Sequence, residues 1–413
     1  MTSRERVLCA IAHREPDRVP VDLGGMRSTG IMAIAYNRLK RYWGMEGGET
    51  LVYDVVQQLA QPEQEILDRV EADVVDLGRA FLDRPEDWKD WTLPDGSSAK
   101  IPAWVELVPR NGGWVLEAED GTVIGTMPEG VEYLTQTCWP LAGWRELSEL
   151  DRLPEAMKKV TWGALPTAPW HKPMTPETLK ELRRRAKHLY ETTDYAIMAA
   201  FGGNLLEWGE FLCGMDGFLM NVALEPKKVE ALLDRLVEIH LDNLDQFLDA
   251  VGDYVQIIQM GDDLGTQGGP QISPEMYRKL FKPRHRMLYQ RVKERSNALV
   301  FLHSCGSVAA LIPDLIEIGV DLLNPVQTSA AGMEPEHLKR TFGKDITFWG
   351  GGCDTQRMLP SGTPEEIDRH VQERMETFAP GGGFVFAQVH NILSNVPPEH
   401  IAAMFEAVRK VRG

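Results

Sequence analysis

The amino-acid sequence predicts an α/β fold, a (β/α)8 TIM barrel, from two observations. Eight short β-branched or apolar runs alternate with amphipathic helical stretches, which is the count that such a barrel requires. Nearly all of these runs end in polar or metal-capable side chains, as expected where the chemistry of a barrel takes place. The predicted strands cover residues 18–23, 73–77, 195–201, 254–260, 298–303, 321–326, 346–350 and 384–388.

Prolines mark the starts of several predicted helices. Proline suits the first turn because its missing N–H would have no partner within the helix there. The helices with this pattern span residues 226–250, 274–295, 364–378 and 398–411. A doubly wound open sheet is the competing fold, but Gly24-Gly25 after the first strand is too short for a dinucleotide-binding turn. We therefore prefer the barrel.

Residues 82–170 interrupt the alternation after the second predicted strand. Eight of the 11 tryptophans lie in this segment, and Asp95-Gly96 and Asp120-Gly121 are hairpin turn signals. We predict one barrel domain over residues 1–413, interrupted by a β-rich, Trp-rich inserted subdomain at 82–170. Its tryptophans either form a small core of their own or act as an aromatic lid over the barrel mouth.

Charge and composition exclude several functional classes. The chain of 413 residues carries 44 Lys and Arg against 61 Asp and Glu, a net charge of −17, which disfavours nucleic acid and anionic membrane as partners. No apolar run approaches the ~20 residues of a membrane span, and the N-terminal stretch lacks the apolar core of a signal peptide. Five scattered cysteines indicate reduced thiols. We expect a cytoplasmic protein, for which the barrel size also suggests a homodimer.

The sharpest local signal is His303-Ser304-Cys305 at the end of the fifth predicted strand. Residues two apart in an extended segment point to the same side, so the imidazole and the thiolate can bind one ion. Zn²⁺ accepts such a mixed set, and a catalytic site needs a third protein ligand and an open position. Cys353 and His390 follow the seventh and eighth predicted strands, and the residues alone do not decide between them. The alternative is a half-buried histidine beside an inert core cysteine.

Acidic residues at other strand ends are candidates for catalysis. Each could act as a general acid or base at the barrel mouth, and Glu207 could also be a fourth zinc ligand. Helix capping and solvation are the competing structural explanations for Asp262 and Asp263. The candidates are Asp76, Glu207, Asp262 and Asp263.

Substrate-binding candidates come from the same ends of the predicted strands. Arg27 follows the first strand and could bind a substrate carboxylate, or pair with a surface acid. Amide side chains after the sixth and eighth strands can bind polar substrate groups. These candidates are Asn324, Gln327 and Asn391.

Four stretches of the chain resemble the uroporphyrinogen decarboxylase superfamily. They read SRERVLCAIAHREPDRVPVDLGG, GDDLGTQGGPQISPEMYRKLFKP, FLHSCGSVAALIPDLIEIGVDLLNPVQ and GGGFVFAQVHNILSNVPPEHIAAMFEAVRKV. The resemblance extends over essentially the whole chain except the Trp-rich segment, and it implies a (β/α)8 barrel. Members of this superfamily carry out two chemistries: cofactor-free decarboxylation of a tetrapyrrole, and zinc-dependent methyl transfer to or from a corrinoid protein.

Two motifs place the chain closer to the methyltransferase branch. True decarboxylases have an Arg-Gln-Ala-Gly-Arg-Tyr stretch whose arginines bind substrate carboxylates, whereas here Met26-Arg27-Ser28-Thr29-Gly30 keeps one arginine. Asp76 does match the pyrrole-binding aspartate of the decarboxylases. The methyltransferase branch has His-x-Cys after its fifth strand, which His303 and Cys305 match. Its third zinc ligand is a cysteine, and His390 stands in that place.

The resemblance therefore implies a zinc-dependent methyltransferase that works with a corrinoid carried by a partner protein. Zn²⁺ would be held by His303, Cys305 and His390, with Glu207, Cys353 or water at the fourth position. One thiolate in place of two makes a more Lewis-acidic zinc and favours demethylation of a methoxy compound. An amine or thiol substrate and the reverse direction stay open. The second hypothesis is a metal-free lyase using Asp76, Arg27 and His390, and the third is a non-catalytic zinc or corrinoid-partner binding protein.

Overall fold

The computed structural model describes residues 1–45, 47–165 and 174–411, and its centre is a curled sheet of seven parallel strands. Each strand pairs with the next one along the chain. The strands are β1 (Val74–Asp76), β2 (Ala196–Gly202), β3 (Ile257–Gly261), β4 (Leu299–His303), β5 (Leu322–Asn324), β6 (Thr347–Trp349) and β7 (Phe384–Val385).

The segment around Val21 closes this sheet. Val21 forms a parallel bridge with Phe386, which directly follows β7. On its other side, the backbone N–H of Asp73, directly before β1, donates to the carbonyl oxygen of Val21 at 2.7 Å. All eight predicted strand positions therefore contribute to one closed arrangement, and the predicted (β/α)8 fold is confirmed.

Apolar side chains from every parallel strand fill the interior of the barrel. Because alternate strand residues point inward, they stack in layers around the barrel axis. Phe301 and Trp349 meet there edge to face, with ring centroids 5.4 Å apart. Val7 and Ile11 of the N-terminal helix join the same cluster, so this helix covers the end of the barrel at which the parallel strands begin.

The second, larger core lies between the sheet and the helices. The helices that begin at Pro226, Pro274, Pro364 and Pro398 lie within a residue of the predicted bounds, and a π-helical turn at Tyr277–Phe281 lies inside the second of them. The α-helices span Ser3–Ile11, Ala33–Tyr42, Gln64–Val70, Leu153–Met157, Thr161–Ala164, Pro176–Thr192, Leu206–Cys213, Met215–Leu224, Pro226–Val251, Pro274–Met276, Lys282–Arg295, Ile312–Glu317, Pro335–Phe342, Met358–Ser361, Pro364–Phe378 and Pro398–Val411. Short 3-10 helices span Arg27–Thr29, Leu77–Ala80, Pro85–Asp87, Leu147–Arg152 and Ala309–Leu311.

Antiparallel strands occupy much of the Trp-rich segment. Trp88–Thr92 pairs with Ser98–Pro102, and a four-stranded sheet contains Val108–Arg110, Gly113–Glu117, Val123–Met127 and Thr135–Gln136. Their arrangement includes the hairpin signalled by Asp120-Gly121. The assignment of residues 82–170 as a separate inserted subdomain stays a prediction, and its last tryptophan, Trp170, lies outside the described residues.

A small antiparallel sheet that the sequence did not predict lies between Val21 and β1. Its strands are Ile31–Met32, Val52–Asp54 and Leu59–Ala60. The N–H of Met32 donates to the carbonyl oxygen of Ile392 at 2.8 Å, so this sheet is attached to the loop that carries His390. Among the described helices, none has the length and apolar character needed to cross a membrane.

Candidate metal centre

The predicted metal ligands lie at the carboxyl ends of the parallel strands. His303 is the last residue of β4, where the parallel register pairs it with Gly261 of β3 and Asn324 of β5. Cys305 follows two residues later, and His390 lies in the loop after β7. Because all parallel strands point the same way, these loops meet at one mouth of the barrel.

One potential ligand atom from each of His303, Cys305 and His390 lies within 4.8 Å of the other two. Cys305 Sγ is 3.4 Å from His303 Nε2, and the two imidazole ring centroids are 5.7 Å apart. All three side chains are only partly buried, so the cluster is open towards the mouth. The geometry thus brings His390 to the His303–Cys305 pair.

The donor set fits zinc. Two imidazoles and one thiol supply three borderline or soft donors, which leaves a fourth tetrahedral position for water or substrate. Burial, together with the neighbouring His303, lowers the pKa of His390 to about 4, so its imidazole is neutral and keeps a lone pair at neutral pH. Burial, and then the charges of Asp263 and Glu207, raise the pKa of Cys305 well above its usual range. A bound cation would oppose the effects of burial and of the two acids on this thiol.

Cys353 lies outside this cluster. Its side chain is completely buried in the larger core, and its Sγ lies 3.9 Å from the carbonyl oxygen of Asp354. Burial raises the pKa of this thiol above its usual range, which disfavours the thiolate that a metal needs. Its backbone is close to the cluster, because its carbonyl oxygen accepts the N–H of Val389. The side chain, however, points away.

Acidic residues border the cluster on one side. Asp263 Oδ1 lies 3.6 Å from His303 Nε2 and accepts the backbone N–H of Cys305 at 2.8 Å. Glu207 Oε2 accepts the backbone N–H of Asp263 at 3.1 Å. Burial, together with Asp263 and Asp262, raises the pKa of Glu207 well above its usual range, which favours the protonated form of this carboxyl group. Glu207 is separated from the His303–Cys305 pair by Asp263, which contacts both.

Asp262 makes a different set of contacts. It is completely buried, and its carboxylate accepts the backbone N–H groups of Leu206 and Glu207 at 2.8 and 2.9 Å. His285 Nε2 lies 3.0 Å from Asp262 Oδ2, and His285 is buried as well. These contacts agree with helix capping, the structural explanation considered for Asp262. Its catalytic role stays a prediction. His285 was missed because its helix shows no local motif.

Asp76 and Gln327 each accept a hydrogen bond from a backbone N–H. Asp76 ends β1 and accepts the N–H of Gly78 at 3.0 Å, and burial raises its pKa to about 6. Gln327 accepts the N–H of Gly306, next to Cys305, at 2.8 Å. Gln327 therefore contacts the loop after β4, which carries Cys305. Asp76 lies at the end of β1 instead.

Arg27 faces a buried acid and a tryptophan of the Trp-rich segment. Its guanidinium lies 4.9 Å from the ring centroid of Trp162, and its Nε is 3.9 Å from Asp54 Oδ2. Asp54 is completely buried, and its Oδ2 has no hydrogen-bond partner among the described residues. Burial raises the pKa of Tyr133 above its usual range, and the charges acting on it include Asp54, Arg27 and Cys305. Asp54 and Tyr133 lie in short strands and a loop that carry no sequence motif, and sequence reasoning missed both.

The predicted substrate-binding amides contact the two histidines. Asn324 is completely buried, and its Oδ1 lies 2.7 Å from His303 Nδ1. Asn391 Oδ1 lies 2.7 Å from His390 Nδ1. Their predicted role in substrate binding stays a prediction, because the described contacts are with protein groups.

A parallel barrel with a cluster of potential metal ligands and acids at its carboxyl end is the arrangement of a (β/α)8-barrel enzyme. Residues 208–411 match the uroporphyrinogen decarboxylase (URO-D) family. The predicted resemblance to that superfamily is confirmed.

Two individual proteins illustrate this relationship. Uroporphyrinogen decarboxylase of Magnetococcus marinus is 25% identical over 117 residues, which is 28% of this chain and 30% of that protein. Among solved structures, a methyltransferase from Methanosarcina mazei aligns over 100% of both chains with a TM-score of 0.55 and 16% sequence identity. The structural match shows a shared fold.

Proposed function

We propose that this protein is a zinc-dependent methyltransferase that moves a methyl group between a small methylated substrate and a corrinoid held by a separate protein. The observation that carries the proposal is the convergence of His303, Cys305 and His390, with ligand atoms within 4.8 Å of one another at the barrel mouth. The full-length fold shared with a methyltransferase supports the same reading. The substrate would be a methoxy, methylamine or methylthiol compound.

The roles of the residues follow from their positions. His303, Cys305 and His390 would hold the ion, which when bound supplies Lewis acidity towards the substrate heteroatom. Glu207, whose protonated form is favoured by burial and which accepts the backbone N–H of Asp263, would donate a proton to the oxygen, nitrogen or sulfur that has lost its methyl group. Acids beside the ligands favour a catalytic site over a pure binding site, since binding alone requires no proton donor.

The substrate would lie between the ligand cluster and Arg27. The contact of Arg27 with Trp162, an aromatic side chain of the Trp-rich segment, supports this position. We propose that this segment bounds the substrate site and excludes water from it. The partner protein would bring its corrinoid to the same mouth, because the methyl group must pass directly between the two.

The first test is metal content after purification without chelator. We expect near-stoichiometric zinc in the wild type and a loss of most of it in Cys305→Ala. Cys353→Ala and Cys138→Ala are the matched controls, since both thiols lie outside the cluster, and both should retain zinc. An absence of metal from the wild type even after zinc is supplied would contradict the proposal.

The second test is methyl transfer to free cob(I)alamin. The zinc-loaded protein is incubated with methoxylated aromatics, methylamines or methylthiols, and methylcobalamin is followed by its absorbance. We expect one substrate class to give methylcobalamin with wild type and Cys353→Ala, and at least a hundredfold lower rate with Cys305→Ala, on the order of a lost catalytic metal. Turnover independent of Cys305 would rule out this site.

A metal-free lyase acting on a carboxylated substrate is the second candidate. It is favoured by the family match and by Asp76, whose buried carboxyl has a pKa of about 6 and feels the charge of Arg27. Such an enzyme should retain its activity in Cys305→Ala and lose it in Asp76→Asn. The methyltransferase should show the opposite order of sensitivity.

A further inference from the structure

Both histidines of the donor cluster face an asparagine through Nδ1, at 2.7 Å in each case. An asparagine amide presents an oxygen that accepts a hydrogen bond and a nitrogen that donates one. The atom that faces the ring therefore decides whether Nδ1 carries a proton. That choice in turn decides which nitrogen keeps the lone pair for a metal.

The orientation of the Asn324 amide is determined by its other contacts. Its Nδ2 donates to the backbone carbonyl oxygen of Trp349 at 3.0 Å, and its Oδ1 also accepts from Ser28 Oγ at 2.9 Å. A flipped amide would face the Trp349 carbonyl with an oxygen and lose that bond. Because Asn324 is completely buried, water could not replace the bond, and the flip would be costly. Oδ1 therefore faces His303.

Asn391 is arranged in the same way around the second histidine. Its Nδ2 donates to Gln57 Oε1 at 2.7 Å, which leaves Oδ1 towards His390 Nδ1. The side chain is 3% exposed. Asn324 comes from the end of β5 and Asn391 from the loop after β7, so two separate elements supply the same contact.

We propose that Asn324 and Asn391 are positioning residues that hold His303 and His390 as Nδ1–H tautomers, so that both Nε2 lone pairs point to one ion. The inference rests on the zinc site of the proposed function. Asp263 Oδ1 lies 3.6 Å from His303 Nε2, beyond hydrogen-bond distance, and the atom within reach of that nitrogen is Cys305 Sγ at 3.4 Å, itself a proposed ligand. Because uncharged amides rather than carboxylates contact the two Nδ1 atoms, these contacts add no negative charge that would raise the basicity of the imidazoles.

The tautomers can be measured in the metal-free protein. Long-range ¹H–¹⁵N correlation spectra of ¹⁵N-histidine-labelled apoprotein at pH 8 distinguish Nδ1–H from Nε2–H rings, and His303→Ala and His390→Ala assign the signals. We expect Nδ1–H rings for both residues in the wild type. Nε2–H rings at these two positions would overturn the proposal. This measurement does not depend on methyl transfer, so it can fail or succeed separately from the proposed function.

Substitution of the asparagines tests their effect on metal binding. Asn324→Leu and Asn391→Leu remove the acceptor, and zinc affinity measured by chelator competition should fall roughly 10- to 100-fold. Asn391→Asp keeps an acceptor, and the Gln57 amide can turn its nitrogen towards the new carboxylate, so this variant should retain the Nδ1–H tautomer and most of the affinity. Ser28→Ala is the control, because it removes a neighbour of Asn324 Oδ1 but leaves the acceptor in place.

Cobalt(II) substitution separates a positioning role from a purely structural one. A displaced imidazole changes the visible absorption of the tetrahedral ion, whereas a general loss of stability changes the thermal midpoint instead. We expect altered spectra in the leucine variants and near-native spectra in Asn391→Asp and in Ser28→Ala. Unchanged zinc affinity and unchanged cobalt spectra in both leucine variants would overturn the proposal, even if either protein were less stable.

Discussion

The side chains at the barrel mouth form two groups. On one side each histidine contacts an uncharged asparagine, and on the other side Glu207, Glu210 and Asp262 form an acidic face, with Asp263 between the two. Buried acids this close together cannot all ionise, because each charge raises the pKa of its neighbours. The acidic face therefore retains protons on some of its carboxyl groups, close to a site whose proposed reaction needs a proton donor.

The protonation of Glu210 should have a measurable effect on the stability of the protein. Burial, and then the charges of Asp262 and Asp263, raise its pKa to about 8, and its Oε1 has no hydrogen-bond partner among the described residues. Since the pKa in the folded state exceeds that of the unfolded chain, the wild type loses stability as the pH rises from about 4.5 to 8. We expect Glu210→Gln to be more stable than the wild type by about 1–3 kcal/mol at pH 9 and to differ little at pH 4.5. Urea midpoints measured across this range check the prediction, and a constant difference at all pH values would contradict it.

The sequence identified the two ligands that their spacing along the chain is sufficient to pair. His303 and Cys305 are two apart at a strand end, so one local rule was sufficient to pair them. The sequence could not decide between Cys353 and His390, since the direction of each side chain depends on how its loop folds. Nor did it indicate that Asn324 contacts His303 and Trp349, because these residues lie 21 and 25 positions away along the chain.

One helix at the barrel mouth is capped by a side chain from another element. The helix Leu206–Cys213 has no side-chain cap from its own N-terminal neighbour, Leu205. Instead, Asp262 from the end of β3 accepts its first two N–H groups, and His285 holds Asp262 from the other side. Because Glu207 is one of the residues whose N–H groups Asp262 accepts, the position of this proposed proton donor depends on the junction of three elements.

This junction predicts a large coupling energy between two buried residues. Asp262→Ala leaves two helix N–H groups and His285 without an acceptor and should reduce the free energy of unfolding by about 2–4 kcal/mol. A double-mutant cycle with His285→Leu should give a coupling energy of roughly 1–3 kcal/mol between the two side chains. Asp216→Ala, an exposed acid in the next helix, is the control and should change stability by no more than ~0.5 kcal/mol. Additive effects of the two substitutions would show that the contact does not hold the helix.

Long periodic elements were predictable, and short ones were not. The helices at Pro364–Phe378 and Pro398–Val411 have the predicted bounds, because proline and the apolar period mark both ends. The sheet of Ile31–Met32, Val52–Asp54 and Leu59–Ala60 consists of strands of two or three residues, too short for alternation to be recognised. Asp54 belongs to that sheet, so its position beside Arg27 followed only from the structure.

Across the whole molecule, opposite ends of the barrel have separate tasks. The donor cluster lies where the parallel strands end, and a dense ion-pair cluster lies where they begin. There, fully buried Asp73 accepts from Arg6 at 2.6 Å, from Arg18 at 2.7 and 2.9 Å, and from the N–H of Val21 at 2.9 Å. These bonds hold the Val21 segment against β1 and so help to close the barrel, as expected for the stability face of this fold.

Asp73 should therefore affect stability without affecting metal binding. Asp73→Ala removes the acceptor of a buried backbone N–H and one of the two carboxylate partners of Arg6 and of Arg18, so the free energy of unfolding should fall by about 2–4 kcal/mol. Asp17→Ala is a matched control, because Asp17 pairs with the same Arg6 but is 41% exposed, and it should cost only about 0–1 kcal/mol. At temperatures where both variants stay folded, zinc content and affinity should equal those of the wild type, since the change lies at the opposite end of the strands. Reduced zinc affinity in folded Asp73→Ala would mean that closure of the barrel at one end determines the geometry of the site at the other.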